Sequence, residues 1–395
     1  MSVLSESELI QIRRHLHQIP ELALAEKETH DYLIEVIQKF KQDYLEVEIP
    51  STLPTAILVL VKGRKPHRTI GYRADIDALP VTEKTGLAFS SKHEGVMHAC
   101  GHDIHMTVAL GLLSYFSENQ PQDNLLFFFQ PAEESQSGGM QAYEKRIFHD
   151  QFKPDEFYGL HDNPALPAGS IGCRMGTLFA GTTEVNIDIL GKSGHAAFPQ
   201  DANDTVVAAA SLIMQVQTII SRSIDPIQSG VITLGKIEAG TIRNVIAGQA
   251  RIEGTIRGLT QNMILTIDQR LKEICLGIEK SFGVEVKLDL NQGGYWPVEN
   301  NPQLTKNFIS YMKSQPTVNF ITTEPKMTGE DFGFLLAKFP GTMFWLGVGD
   351  PDSQLHTATL NPDSELHSAT LNPDEKSIQR GVDAIKGFLI NRMRQ

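Results

Sequence analysis

The stretch Leu125-Leu-Phe-Phe-Phe129, followed at once by Gln130-Pro-Ala-Glu-Glu134, decides the fold. An uninterrupted apolar run of this length suits a strand buried on both faces, as in a parallel sheet covered by helices. Working outward, Tyr44–Ile49, Ala56–Val61 and Thr69–Arg73 read as further β-rich runs, and Asp103–Glu118 as an apolar-periodic helix. Ser5 to about Phe40 reads as helix interrupted at Pro20, with Ser5 and Glu8 spaced as a capping box. Strands alternating with helices predict an α/β sheet.

After about Gly176 the texture changes. Thr183–Leu190 alternates as a strand, Asp204 to about Ser223 is a long helical pattern, Val231–Leu234 and Ala250–Arg257 read as strands, and Met263–Phe282 as another helix. This β-α-β-β-α-β order predicts a compact ferredoxin-like α+β module inserted into the large domain. From about Gly293 a second α/β stretch follows, ending in a helix over Asp374–Arg394. The expected division is 1–176 and 291–395 for the large domain, with 177–290 as the small one.

The 395 residues, 41% hydrophobic and 21% charged, describe a globular protein of about two domains. A formal net charge of -12 argues against a nucleic-acid or anionic-membrane partner. The N-terminus has neither a basic nor an apolar leader pattern, and no apolar run approaches membrane-spanning length. The three cysteines, Cys100, Cys173 and Cys275, suggest reduced thiols and a cytoplasmic setting. Cys173 and Cys275 read as small buried hydrophobes.

Cys100 reads differently. Cys100 and His102 are two apart, so in an extended segment both side chains point one way. A thiolate with an imidazole suits zinc or another transition ion. Taken alone, such a pair is incidental more often than not. His98 and His105 are extra histidines nearby, expected behind the ligands or on the surface. Glu133 and Glu134 end the apolar strand, where open α/β sheets bind ligands, and two adjacent acids there can divide metal binding from proton transfer. Asp75 and Asp77 follow another strand and share a face, placed to orient a histidine or approach a metal. His161 follows a further short β-like run.

In the small module, His195 lies in a Gly-rich turn, and Arg243-Asn244 in a more polar loop; Glu330 returns an acid to the last stretch. Each alone reads as an ordinary surface loop. Together, Cys, His and Glu recurring at strand ends fit a one- or two-metal hydrolytic site with a carboxylate base.

Near the C-terminus, Asp352-Ser-Gln-Leu-His-Thr-Ala-Thr-Leu-Asn-Pro362 is followed by Asp363-Ser-Glu-Leu-His-Ser-Ala-Thr-Leu-Asn-Pro373. This tandem duplication places equivalent histidines at His356 and His367.

The stretches Arg13–Leu22, Tyr72–Pro80, Met97–Asp103, Phe129–Glu134, Gly159–His161 and Gly194-His195 resemble the aminoacylase/carboxypeptidase-type metal-dependent amidohydrolases, in the branch with hippurate hydrolases and auxin-conjugate hydrolases. They span about half the chain, in order. The resemblance implies a zinc-peptidase-like large domain with a mixed sheet. It also implies hydrolysis of a small-molecule N-acyl amino acid by metal-activated water. Cys100, His102, Glu134, His161 and a C-terminal histidine would bind one or two divalent ions (zinc, manganese or cobalt). Glu133 would be the general base, and Asp75 or Asp77 the site aspartate, with Asp75 preferred. His195 would reach a substrate oxygen, and a homodimer is implied. Arg243, Asn244 and Glu330 are weaker candidates for substrate contacts. The family has one C-terminal ligand histidine. His356 is preferred for its short distance from Trp345–Gly349, with His367 as the duplicate alternative. The runner-up readings are a broader N-acyl-amino-acid hydrolase and a non-catalytic metal-binding protein.

Overall fold

A computed structural model of the protein describes residues 3–349 and 366–395. The chain packs as two bodies. One comprises Met1–Leu178, Asn300–Glu324 and Phe334–Gln395; the other comprises Phe179–Glu299 with Pro325–Gly333.

The first body begins with helices α1 (Glu6–Gln18) and α2 (Lys27–Gln38). Ser5 and Glu8 form the expected capping box at the start of α1, each side chain accepting the other residue's amide. Strands β1 (Leu45–Glu48), β2 (Ile57–Val61) and β3 (Thr69–Asp75) precede helix α3 (His102–Glu118). The apolar run becomes β4 (Asn124–Gln130), and short helices α4 (Glu133–Gln136) and α5 (Gly138–Glu144) follow it. Strands β5 (Glu156–Pro167) and β6 (Ile171–Cys173) complete this stretch.

The second body contains β7 (Gly181–Leu190), β8 (Gly194–His195), α6 (Thr205–Ser223), β9 (Gly230–Ala239), β10 (Val245–Ile246), β11 (Gln249–Gly258), α7 (Gln261–Phe282) and β12 (Glu285–Asn291). The chain then supplies α8 (Pro302–Ser314), β13 (Phe320–Thr322), α9 (Phe332–Leu336), β14 (Gly341–Gly349) and α10 (Lys376–Arg392).

The first body is built on an eight-stranded mixed sheet in the order β1-β2-β4-β3-β5-β14-β6-β13. β4 lies between β2, antiparallel, and β3, parallel, and Leu125–Phe129 are all buried. Its apolar run therefore fills a strand covered on both sides, within a sheet of mixed rather than parallel sense. α3 is buried almost all round because α1 and α10 cover its outer side while β3 lies beneath it.

In the second body, β12-β7-β11-β9 form a four-stranded antiparallel sheet. With α6 and α7 this is the ferredoxin-like arrangement that the element order predicts. Val185, Ile187 and Ile189 of β7 pack with Ala208, Leu212 and Val216 of α6 and Ile264, Ile267 and Leu271 of α7. α6 spans 19 residues and is apolar enough to cross a membrane by length and composition, which qualifies the expectation that no such segment exists. Its buried stripe, Ala208, Ala209, Leu212, Val216 and Ile219, is part of this core. The three cysteines are free and buried, with Cys173 and Cys275 inside the two apolar cores.

Candidate metal centre

β3 lies parallel to both β4 and β5; the end of β3 carries Asp75, the turn after β4 leads to Glu133, and His161 lies mid-way along β5, two residues past its last pairing with β3. The opening of α3 delivers His102. Gly101 precedes it at φ 90°, and a Cβ there would collide with the Asp162 carboxylate, so only glycine fits this junction.

His102 is held by one nitrogen. Its Nδ1–H donates to the Asp77 carbonyl at 2.8 Å, which leaves Nε2 facing inward. Around Nε2 lie Asp75 Oδ2 at 3.5 Å, Glu134 Oε1 at 3.7 Å and Glu133 Oε2 at 3.9 Å. None is close and aligned enough to hydrogen bond, and Nε2 is buried without a partner among the described residues. A buried imidazole nitrogen ringed by carboxylates at these distances fits a cation site.

The remaining donors converge on the same place. Cys100 Sγ is 3.4 Å from His161 Nε2, while His161 Nδ1–H donates to the Asp162 carbonyl at 2.9 Å. Cys100, His102 and His161 can offer ligand atoms within 4.8 Å of one another, and so can Cys100, Glu134 and His367. His367 reaches in from the duplicated segment. Its amide donates to the Ala99 carbonyl at 2.7 Å, and its Nε2 is 3.6 Å from Glu134 Oε2. His356 lies outside the described residues.

The charges explain why a cation belongs here. Burial, with Glu134, Glu133 and Asp75 nearby, pushes the Cys100 thiol well above its ordinary pKa. Burial likewise raises Glu134 to about 7, even against His102. Burial alone would lower His102, yet Asp75, Asp77 and Glu134 raise it to about 10. These shifts share one cause, a crowd of buried acids around His102 that favours positive charge at this place. A divalent ion would supply that charge. The thiolate and imidazole donors fit a transition ion.

Behind these groups stands a buried polar layer. His105, buried rather than at the surface, donates from Nδ1 to Asp75 Oδ1 at 2.5 Å and accepts the Asp162 amide on Nε2 at 3.0 Å. Arg73 binds the other Asp75 oxygen at 2.5 Å. Asp75 and Asp77 thus both belong to the site, with different partners. Asp103 is gripped by Arg13 and by His17 Nδ1, both at 2.8 Å. His98 is buried as well, and burial pushes it down to about 3. Glu26, to which the sequence reading gave no role, reaches the turn before Glu133. The hint for Arg13 and His17 was in the sequence: two polar residues one helical turn apart on the same stripe of α1 as Leu9, Ile12 and Leu16.

In the second body, Val245 pairs with His195 in the β8–β10 ladder, and the Ala196 amide donates to the Asn244 carbonyl at 3.1 Å. His195, Arg243 and Asn244 are therefore neighbours, all exposed. Glu330 belongs to the same body, buried, and its carboxylate accepts the Phe332 amide at 3.0 Å.

Residues 71–390 match the model of the Peptidase family M20/M25/M40. The chain is 79% identical to the N-acetyldiaminopimelate deacetylase of Lactobacillus acidophilus, with 100% of each covered. It is 74% identical to the enzyme of the same name from Limosilactobacillus reuteri, over 99% of this chain and 100% of that one. Among solved structures, a protein of methicillin resistant Staphylococcus aureus described as an aminohydrolase shares 31% identity at a TM-score of 0.89, covering 98% of this chain and 97% of that one. The YXEP protein of Bacillus subtilis, described as a dinuclear metal binding peptidase of the M20 family, shares 27% identity at a TM-score of 0.83, covering 98% of each. With a family match over most of its length and relatives alike from end to end, the chain belongs to the Peptidase family M20/M25/M40.

Proposed function

We propose that the protein hydrolyses N-acetyl-LL-2,6-diaminopimelate to LL-2,6-diaminopimelate and acetate, a deacetylation in lysine biosynthesis. The likeness to the L. acidophilus deacetylase over the whole of both chains carries the substrate. The convergence of Cys100, His102, Glu134, His161 and His367 beside Glu133 supports the chemistry. In this reading those five residues hold one or two divalent transition ions, zinc, manganese or cobalt. A bound ion would supply Lewis acidity, polarising the scissile carbonyl and making water acidic near neutral pH. Glu133 takes the proton from the attacking water and hands it to the departing amine. Asp75 and Asp77 hold the ligand His102 and the buried His105 in place. His195 donates to the developing oxyanion, and Arg243, Asn244 and Glu330 contact the amino-dicarboxylate. The enzyme works as a cytoplasmic homodimer; its three free thiols agree with a reducing compartment.

The test is direct. The purified protein is loaded with zinc, manganese or cobalt, and amine release is followed from N-acetyl-LL-diaminopimelate, hippurate and N-acetylmethionine. Preferred cleavage of the first is the expected result. Preference for either of the others replaces the substrate with a broader N-acyl amino acid, and no release from any overturns the enzymatic reading.

A further inference from the structure

Glu26 stands just before α2 and is completely buried. One of its carboxylate oxygens, Oε1, accepts two amides at once, from Leu24 and from Ala132, each at 2.9 Å. Both donors are non-glycine residues in left-handed backbone, Leu24 at φ 62° and Ala132 at φ 58°. Leucine and alanine rarely adopt this conformation, and it persists only where surrounding contacts impose it.

The Leu24 contact is local, but Ala132 is 106 residues away in sequence. Ala132 is the N-cap of α4, the single turn that carries Glu133 and Glu134. On the far side of Glu133, the Glu134 amide donates to Asp77 Oδ2 at 2.9 Å. The Ala132 carbonyl is also engaged, by the Gly138 amide at 2.9 Å. Two buried carboxylates therefore clamp the amides on either side of Glu133, and a change of φ at Ala132 would re-aim both glutamates. The clamp is electrostatically expensive: burial, with Asp77 nearby, raises the Glu26 carboxyl to about 7. A neutral cap at the start of α2 would hold Leu24 without that cost.

We infer that Glu26 is a positioning residue for the hydrolytic site: it imposes the left-handed turn at Ala132 and so fixes the directions in which Glu133 and Glu134 leave β4. This rests on the proposed roles of Glu134 as ligand and Glu133 as base.

The experiment measures metal dissociation constants by competition with a chromogenic chelator, together with kcat, KM and thermal midpoint. The variants are Glu26→Ala, Glu26→Gln, Ala132→Gly and the double Glu26→Ala/Ala132→Gly. Leu33→Ala, from the buried face of α2, is a control for stability loss alone. Glu26→Ala should weaken metal binding by about tenfold or more and lower kcat comparably, with KM changed by less than about twofold. Glu26→Gln should recover most of both, because its amide oxygen can accept the same N–H groups. Ala132→Gly should partly rescue Glu26→Ala, since glycine takes the left-handed turn unaided. Leu33→Ala should lower the midpoint while leaving metal binding and kcat intact.

Wild-type metal affinity in Glu26→Ala, no recovery in Glu26→Gln, or equal losses in Leu33→Ala would each overturn the inference. Should Glu26→Ala not fold, Glu26→Asp, one methylene short of Ala132, carries the same expectations. Failure of the proposed function would show instead in the wild type, as no metal binding or no acetate release.

Discussion

Asp77 accepts the amide of Glu134 on its carboxylate at 2.9 Å, while its own carbonyl accepts His102 Nδ1–H at 2.8 Å. One residue thus sets the tautomer of one proposed ligand and the backbone of another. Partners of this kind typically account for about 10–100-fold in metal affinity. Asp77→Ala should therefore bind the ion more weakly by about that factor, read by chelator competition. Asp77→Asn should fall between, since it keeps an acceptor for Glu134 but loses the charge that favours a cation beside His102. Asp77→Ala keeps the backbone carbonyl that holds His102, so unchanged affinity there would show that the Glu134 backbone is held from elsewhere.

Glu133 and Glu134 are adjacent yet should fail differently. Glu133→Gln keeps an oxygen donor and the turn, so it should still bind metal while losing turnover by roughly 10²–10⁴-fold, the range for a positioned general base. Glu134→Gln should lose metal affinity first and activity with it. Metal content by mass spectrometry beside kcat separates the two. An active Glu133→Gln variant would remove Glu133 from the base role.

Much of this architecture was legible because its signals are local. Leu125–Phe129 announces a two-sided buried strand, and Ser5 with Glu8 announces a helix start. The order of elements after Gly181 announces the small module. What stayed hidden is mostly non-local or very short. β6 and β13 have three residues each and take their place only through their neighbours in the sheet. β9 runs on to Ala239, but residues 235–239 are all exposed, Ile237 included, so no buried face marks the strand past Leu234. Glu26 could not be found by spacing, since its partner Ala132 meets it only in the folded chain. Cys100, His102 and the Glu133-Glu134 pair stood out because reactive side chains at strand and helix ends are unusual in sequence as well as in space.

His17 should make stability depend on pH. It is buried, its Nδ1 lies 2.8 Å from Asp103, and its Nε2 is 3.4 Å from Glu83. Burial alone would lower its pKa, but Asp103 and Glu83 outweigh this and Arg13, and the folded value is raised above 6.5. A group with a raised folded pKa contributes fully below its unfolded value and loses that contribution as pH rises through the folded one. Wild type should therefore exceed His17→Gln in thermal midpoint by more at about pH 5.5 than at about pH 9. A constant difference at both would mean that His17 acts through packing and neutral hydrogen bonds alone.

The duplicated segment offers two histidines for one ligand position, and spacing alone favoured His356 for its nearness to the strand ending at Gly349. That argument weighs the link to the preceding strand and ignores what anchors the other copy. His367 is anchored: its amide binds Ala99, next to Cys100, and Lys84 donates to the Ala369 carbonyl at 2.8 Å. Leu371 is packed with Met97 and Ala99. These contacts seat the second copy against the Cys100 segment and bring its imidazole to Glu134. On this basis His367→Ala should lower metal affinity by about tenfold or more, as loss of a ligand should, and His356→Ala should leave it near wild type. Because the two units are nearly identical, deleting residues 352–362 is the sharper test. The shortened chain should keep full metal affinity and activity if His367 is the ligand. If the deletion abolishes both while His367→Ala spares them, the ligand is His356 and the seating of the second copy is incidental to catalysis.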